Sequence, residues 1–329
     1  MQAILAVTVP FFALVLCGYL AARQRVLPEA AIPGLNAFVL FFALPCMLFR
    51  FGASQPFAQL INPSLIAVYA LAALVIVFFT VAVTLRRVDG KGVDAKNAAF
   101  GALVAAFPNT GFMGVPLLVA LLGDRAAGPV IGTILTDLFL TSSLCIALAQ
   151  AGTADDGQPH DSMRATVLRS LRGALSNPLP WSIGLGAALA ASGLALPEPL
   201  SQVIKMLGDA ASPVALFTIG AVLWRARQHV HTRTPVGQYL PVALIKLFIH
   251  PLVVLGFGLL LRAAGLPVPE FGLMVLMLAA ALPSASNVSL LAERYGADNG
   301  RVARIIMAST VLAFVTFSLL AWGLGVGRG

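Results

Sequence analysis

The chain has 329 residues, 59% of them hydrophobic and only 10% charged, where soluble globular chains carry roughly 25% charged residues. With a mean hydropathy of +0.92 along its length it cannot cover a water-facing surface, so the medium around most of it is lipid. The formal net charge of +8 does not point to nucleic acid, because the basic residues stand singly or in pairs at the ends of apolar runs, without a patch interleaved with aromatics.

The first apolar run, 3 to 22, lacks a basic segment ahead of it and is followed by Arg23 and Arg25, which predicts a retained membrane helix and not a cleaved signal. Further runs fall at 34–52, 63–85, 95–122, 127–149, 177–194, 203–224, 236–261, 270–293 and 302–325. Ten transmembrane helices are predicted, most near the ~20 residues a bilayer core requires. Alternate loops carry Arg23, Arg25; Arg86, Arg87, Lys91, Lys96; Arg164, Arg169, Arg172; Arg225, Arg227, Arg233; and Arg294, Arg301, Arg304. The opposite set holds only Arg50, Arg125, Lys205, Arg262 and Arg328. The positive-inside rule then places both termini outside and the linker in the cytoplasm.

That linker, 151–176, is the longest polar stretch and separates five spans (1–150) from five (177–329). An odd number of spans per half forces the second half to be inverted. Pro28, Pro45 and Pro108 correspond to Pro197, Pro213 and Pro283 at offsets of 169, 168 and 175 residues, which fits an inverted repeat, a signature of secondary carriers. The expected fold is therefore an all-α integral membrane protein with a 5+5 inverted repeat.

Two spans carry a break signal at mid-length. The fourth reads Phe107-Pro108-Asn109-Thr110-Gly111 and the ninth reads Pro283-Ser284-Ala285-Ser286-Asn287. Proline deletes a backbone donor and clashes with the preceding turn, and the small polar residues beside it are helix caps. Unwound backbone at that depth survives only where protein buries it or it lines a cavity. By inversion the two restarting half-helices approach one point from opposite sides, and their N-terminal N–H groups favour a bound anion. Two ordinary proline kinks healed by hydroxyls are the plain alternative.

Lys246 lies well inside the eighth span, with His250 one turn later. An ammonium at mid-bilayer costs roughly 2.5–3.5 kcal/mol on insertion scales, so it either faces the interior as counter-charge to a carboxylate or partner of Asp137, or snorkels to the interface. His250 alone reads as a packing residue. Asp137, in a Thr133–Asp137–Thr141 stripe, is a coupling-ion or proton site or one end of a structural pair; Asp209 reads as structural. Cys17, Cys46 and Cys145 lie in apolar runs without metal spacing, and no hydrolase, phosphate-loop or metal motif occurs, so neither an enzyme nor a cofactor or metal is expected.

The runs NAFVLFFALPCMLF from Asn36, FPNTGFMGVPLL from Phe107, LLGDRAA from Leu121, SNPLPWSIG from Ser176, LGDAASPVALFTIGA from Leu207 and ALPSASNVSLLAERYG from Ala281 resemble the auxin efflux carrier family, which includes plant PIN-FORMED carriers and bacterial malonate or malate permeases. The resemblance implies a ten-helix inverted repeat, a homodimer, an elevator motion, and a substrate held where the broken fourth and ninth helices cross. By position, Pro108 and Asn109 match the family's Pro-Asn at the first crossing, Asn177 its Asn-Pro opening the sixth span, and Pro283 the second crossing. Plant members have a lysine where this chain has Phe41, and a far longer linker, which favours the bacterial branch.

The function expected is secondary transport of a small mono- or dicarboxylate across the inner (plasma) membrane. Pro108, Asn109, Thr110, Asn177, Pro283, Ser284, Ser286, Asn287 and Lys246 are the expected binding residues, with Asp137 and His250 as coupling or charge-pair candidates. Proton or sodium coupling is compatible with this. The rivals are a cation-coupled carrier of another solute on a related crossover fold and a membrane sensor without flux.

Overall fold

The computed structural model describes residues 1–54, 60–85, 93–151, 172–173, 175–228 and 234–327, and among them the predicted apolar runs are helical. Most of the 151–176 linker lies outside the described residues, as do Arg86, Arg87, Lys91, Arg164, Arg169, Arg233 and Arg328 of the charge argument. No strand forms among the described residues; one isolated bridge joins Pro108 and Ser284.

Among the described residues, seven helical stretches are long and apolar enough to cross a membrane: Gln2–Arg23, Glu29–Ser54, Pro63–Leu85, Asp124–Ala151, Glu198–Ala226, Val236–Ala263 and Asn299–Gly323. The first is α1 (Gln2–Arg23); the second contains α2 (Ile32–Phe38) and α3 (Leu44–Ser54), joined by a π turn at Val39–Ala43. There follow α4 (Pro63–Leu85), α5 (Ala95–Ala106) and α6 (Val115–Leu122). α7 (Ala127–Thr136) and α8 (Ser142–Ala151) flank a π turn at Asp137–Thr141. The second half comprises α9 (Pro178–Ser192), α10 (Glu198–Gln228), α11 (Val236–Leu244), α12 (His250–Ala263), α13 (Glu270–Ala280), α14 (Val288–Arg294) and α15 (Asn299–Gly323).

The fourth and ninth spans break as expected, each into two shorter helices on either side of an extended piece, and the predicted bounds need correction chiefly at the seventh. The sixth is the 15-residue α9, started by the Asn177 cap and Pro178 and stopped by Gly193 in the left-handed region (φ 65°). The seventh, expected at 203–224, runs 31 residues because its charged ends stay helical, with Glu198 in the first turn where the helix dipole favours an acid.

Two packing styles divide the bundle. α1 pairs with α10, and α3 pairs with α9, through glycine. A β-carbon at Gly18 or Gly220 would run into the backbone of Phe217 or Val15, and one at Gly52 would stand 2.6 Å from the Ile183 carbonyl oxygen, so only glycine permits this approach. Elsewhere α4, α5, α7, α12, α13 and α15 bury whole apolar faces, including Tyr69, Phe100 and Phe317, together with Asp137, Lys246 and His250. Outward-facing Phe78, Phe79, Trp181, Leu185, Leu252 and Val311 are exposed, as lipid contact requires.

Candidate functional site

The first break opens where α5 stops. Pro108 has no N–H to continue the helical ladder, so Phe107 turns extended (φ −99°, ψ 96°) and the chain restarts at Thr110 in a π turn that leads into α6. The second opens after Ala280, and α14 begins at Val288. The two extended pieces meet antiparallel. Asn109 N–H donates to the Pro283 carbonyl (2.8 Å) and Ala285 N–H donates to the Phe107 carbonyl (3.0 Å). Each break thereby satisfies the backbone groups that the other's proline leaves open, where an unsatisfied group in hydrocarbon costs several kcal/mol. A third helix locks the contact: Ser309 Oγ on α15 accepts from Ser284 N–H (3.1 Å) and lies 3.2 Å from Ser284 Oγ.

Pro108, Asn109, Pro283 and Ser284 are thus one cluster. Thr110 follows directly, fully buried, and its hydroxyl has no hydrogen-bond partner among the described residues. Ser286 and Asn287, just past the second arm, line a cleft of about 440 Å³ together with Asn36, Phe41 and Arg225. Arg225 is paired there with Glu29 at 3.4 Å. Asn109 is 3% exposed, so in this conformation it is covered and not open to a cavity. Asn177 stands apart: its Oδ1 accepts from Leu179 N–H (3.0 Å) at the start of α9, which packs on α3.

Behind the second break lies a wholly buried polar group. Lys246, in a π turn at Ile245–Ile249, sends Nζ to the Ala280 carbonyl (2.6 Å), the last residue of α13, and to His250 Nδ1 (3.1 Å). The lysine therefore does not snorkel. Nor does it pair directly with Asp137, whose Oδ2 accepts from the Tyr69 hydroxyl (3.0 Å) and whose Oδ1 accepts from Thr141 (2.9 Å). Thr133 leaves the expected stripe, donating to the Val130 carbonyl at 2.7 Å, because a helical hydroxyl reaches its own preceding turn as readily as the next one. Asp209 holds Arg50 at 2.6 Å across the α3–α10 contact, with both side chains largely exposed.

Three residues that sequence reasoning passed over take part in this architecture. Tyr69 and Ser309 are hydroxyls within apolar runs that carry others, such as Thr80 and Thr310, and being the lone tyrosine of its run is the one mark that singles out the former. Arg301, expected in a basic loop, is instead 2% exposed in the first turn of α15. It donates to the carbonyls of Asn97 (2.7 Å) and Gln238 (2.9 Å), tying α5 and α11 to α15. Gly101 makes room for it, since a β-carbon there would stand 2.8 Å from Nη1.

Interrupted spans that meet at one buried point recur in membrane carriers, and comparison with known proteins gives the family. Residues 3–321 match the Mem_trans family, described as Membrane transport protein. The chain belongs to this family, that of the auxin efflux carriers. It is a family of membrane transporters and not of enzymes. Among its members, a Rhizobium meliloti protein provisionally named a malonate transporter is 29% identical over 98% of this chain and 96% of its own length. The uncharacterised transporter YfdV of Escherichia coli K12 is 24% identical over 93% of this chain and 92% of its own length. Auxin efflux carrier component 8 of Arabidopsis thaliana is 23% identical over 89% of each chain. As a member of the auxin efflux carrier family, the chain is a multi-pass membrane transporter.

Proposed function

We propose that this transporter carries a small mono- or dicarboxylate across the inner membrane by alternating access, and that the crossing of its two broken spans is the binding site. The observation that carries the reading is the backbone bridge at Pro108 and Ser284, with Asn109 and Thr110 beside one arm and Ser286 and Asn287 beside the other. The Asn109 amide and the first N–H groups of the Thr110–Leu122 helix receive the carboxylate. At seven residues, α14 adds little dipole of its own, so Ser286 and Asn287 contribute through side chains. Lys246 supplies positive charge from behind α13. The name of the Rhizobium relative supports malonate as first probe, and Phe41 at the plant lysine position argues against auxin.

In this reading residues 1–150 and 177–329 are inverted five-span repeats, the chain is a homodimer, and the glycine-packed helices α1, α3, α9 and α10 are the scaffold past which the others move. Both termini face outward and the 151–176 linker is cytoplasmic. His160→Cys should then resist an impermeant thiol reagent on intact cells, and ready labelling would reverse the topology.

The deciding experiment is uptake of a panel of radiolabelled carboxylates into proteoliposomes, with and without a pH gradient. Saturable malonate or other carboxylate uptake is expected. No flux for any acid would leave a sensor, and sodium-dependent uptake of an uncharged solute would move the reading to the cation-coupled alternative.

A further inference from the structure

The buried group behind the second break has a charge balance and a connection that binding of a carboxylate alone does not use. Asp137, Tyr69, Lys246 and His250 are each 0% exposed, and the lysine and the carboxylate have no direct ion pair. Asp137 accepts from two hydroxyls, which suits an ionised carboxylate, and Lys246 donates to a carbonyl and a ring nitrogen, which suits an ammonium. One negative and one positive charge thus offset each other inside the bundle. With Lys246 charged, His250 Nδ1 accepts, so its proton sits on Nε2, and that nitrogen is buried without a partner among the described residues. A donor left in that condition is destabilising, so the network is not fully satisfied in this conformation.

Both polar anchors sit in π turns, Asp137–Thr141 and Ile245–Ile249, where one extra residue per turn re-aims the side chains. The facing ionisable groups are few. Tyr69 comes from α4, Cys145 from α8 is within electrostatic reach of Asp137, and His250 follows on the lysine's own helix. Lys96, Arg262, Arg301 and Arg304 of the neighbouring helices all lie at helix ends. Among the described residues no further ion is at hand to neutralise a new charge.

We infer that Asp137, Tyr69, Lys246 and His250 form a proton-binding site coupled to the crossing through the Lys246–Ala280 hydrogen bond, so that the carboxylate is carried together with a proton. The inference rests on the carboxylate reading above. An anion arriving at the break draws on the lysine's positive charge, and the buried group is left with an unbalanced negative charge. A proton on Asp137 restores neutrality; Asp137 then donates, and the hydroxyl of Tyr69 or Thr141 turns away to accept. Ala280 is the last helical residue before Pro283, so any change in the lysine's bond acts on the arm that holds the site. Loaded with a monocarboxylate and the proton, the moving helices carry no net added charge, and with a dicarboxylate they carry one negative charge instead of two, a reduction that a low-dielectric medium favours.

The test is malonate binding to the purified full chain between about pH 7 and pH 8.5, where carboxylic acids are ionised, with direct proton uptake read by an indicator dye in weak buffer. If one proton enters with the ligand, the dissociation constant rises by up to about tenfold per pH unit and about one proton is taken up per malonate. Asp137→Asn should flatten that slope. A flat wild-type slope with no proton uptake, or a slope retained in Asp137→Asn, would overturn the inference. The wild-type dye measurement stands alone should the variant fail to fold. Failure of malonate and the rest of the carboxylate panel to bind at any pH would instead overturn the carboxylate reading itself.

Discussion

The α1–α10 and α3–α9 pairs meet through glycine and bare backbone, with Arg50 and Asp209 bonded only at an exposed margin, whereas the helices around the crossing bury an aspartate, a lysine, a histidine and an arginine. In lipid there is little hydrophobic drive to bring helices together, so association comes from van der Waals fit or from interhelical hydrogen bonds. The first holds the α1–α10 and α3–α9 pairs, and the second joins the helices around the crossing. A glycine contact has one good geometry; a network of hydroxyls, amine and carboxylate has several, which a ligand can select.

The contrast predicts graded effects. The largest belongs to Gly186→Val, whose side chain would land on the backbone of Phe49 and Ala53. Overpacking of this kind costs about 1–3 kcal/mol and more when backbone is the obstacle, so loss of a monodisperse detergent-solubilised protein is expected. Recovery of a stable, active protein would show that the α3–α9 contact yields. Next comes Asn109→Ala, which removes a hydrogen bond to a charged ligand worth about 1.5–3 kcal/mol and should weaken malonate binding roughly 10-fold to 150-fold. Asn109→Asp should be worse, because it keeps the shape and sets a like charge beside the anion. Binding within about twofold of wild type for Asn109→Asp would remove the anion from this position.

Ser309→Ala takes away the acceptor for Ser284 N–H and should lower thermal stability by about 1 kcal/mol, read as a shift in a detergent melting curve. The smallest effect is expected from Arg50→Gln. Its partner Asp209 is 57% exposed, and solvent screening holds such a pair to between about 0 and 1 kcal/mol. A larger loss from Arg50→Gln than from Ser309→Ala would reverse the ranking of rigid margin and polar interior.

The parts of this architecture that were readable without coordinates are those with local causes. Proline acts on its own turn, so the breaks at Pro108 and Pro283 followed from two residues and their neighbours. Long apolar runs follow from lipid alone. The bond from Asn109 N–H to the Pro283 carbonyl has no such local cause, since it depends on two distant segments meeting. Tyr69 and Ser309 were hidden because a hydroxyl in a helix can be content with its own preceding turn, as Thr136 and Thr218 are. Arg301 was hidden for a related reason. At the end of an apolar run a basic residue gives one signal whether it reaches water or, as here, folds inward onto two carbonyls.

The bridge between Phe107–Asn109 and Pro283–Ala285 is made of main-chain atoms alone. Any residue other than proline at 109 or 285 supplies the same N–H, so those two side chains can be exchanged without removing either bond of the bridge. On the reading proposed above, the groups that touch a solute and the bonds that hold the frame are then different atoms, so a change of solute demands no change of skeleton.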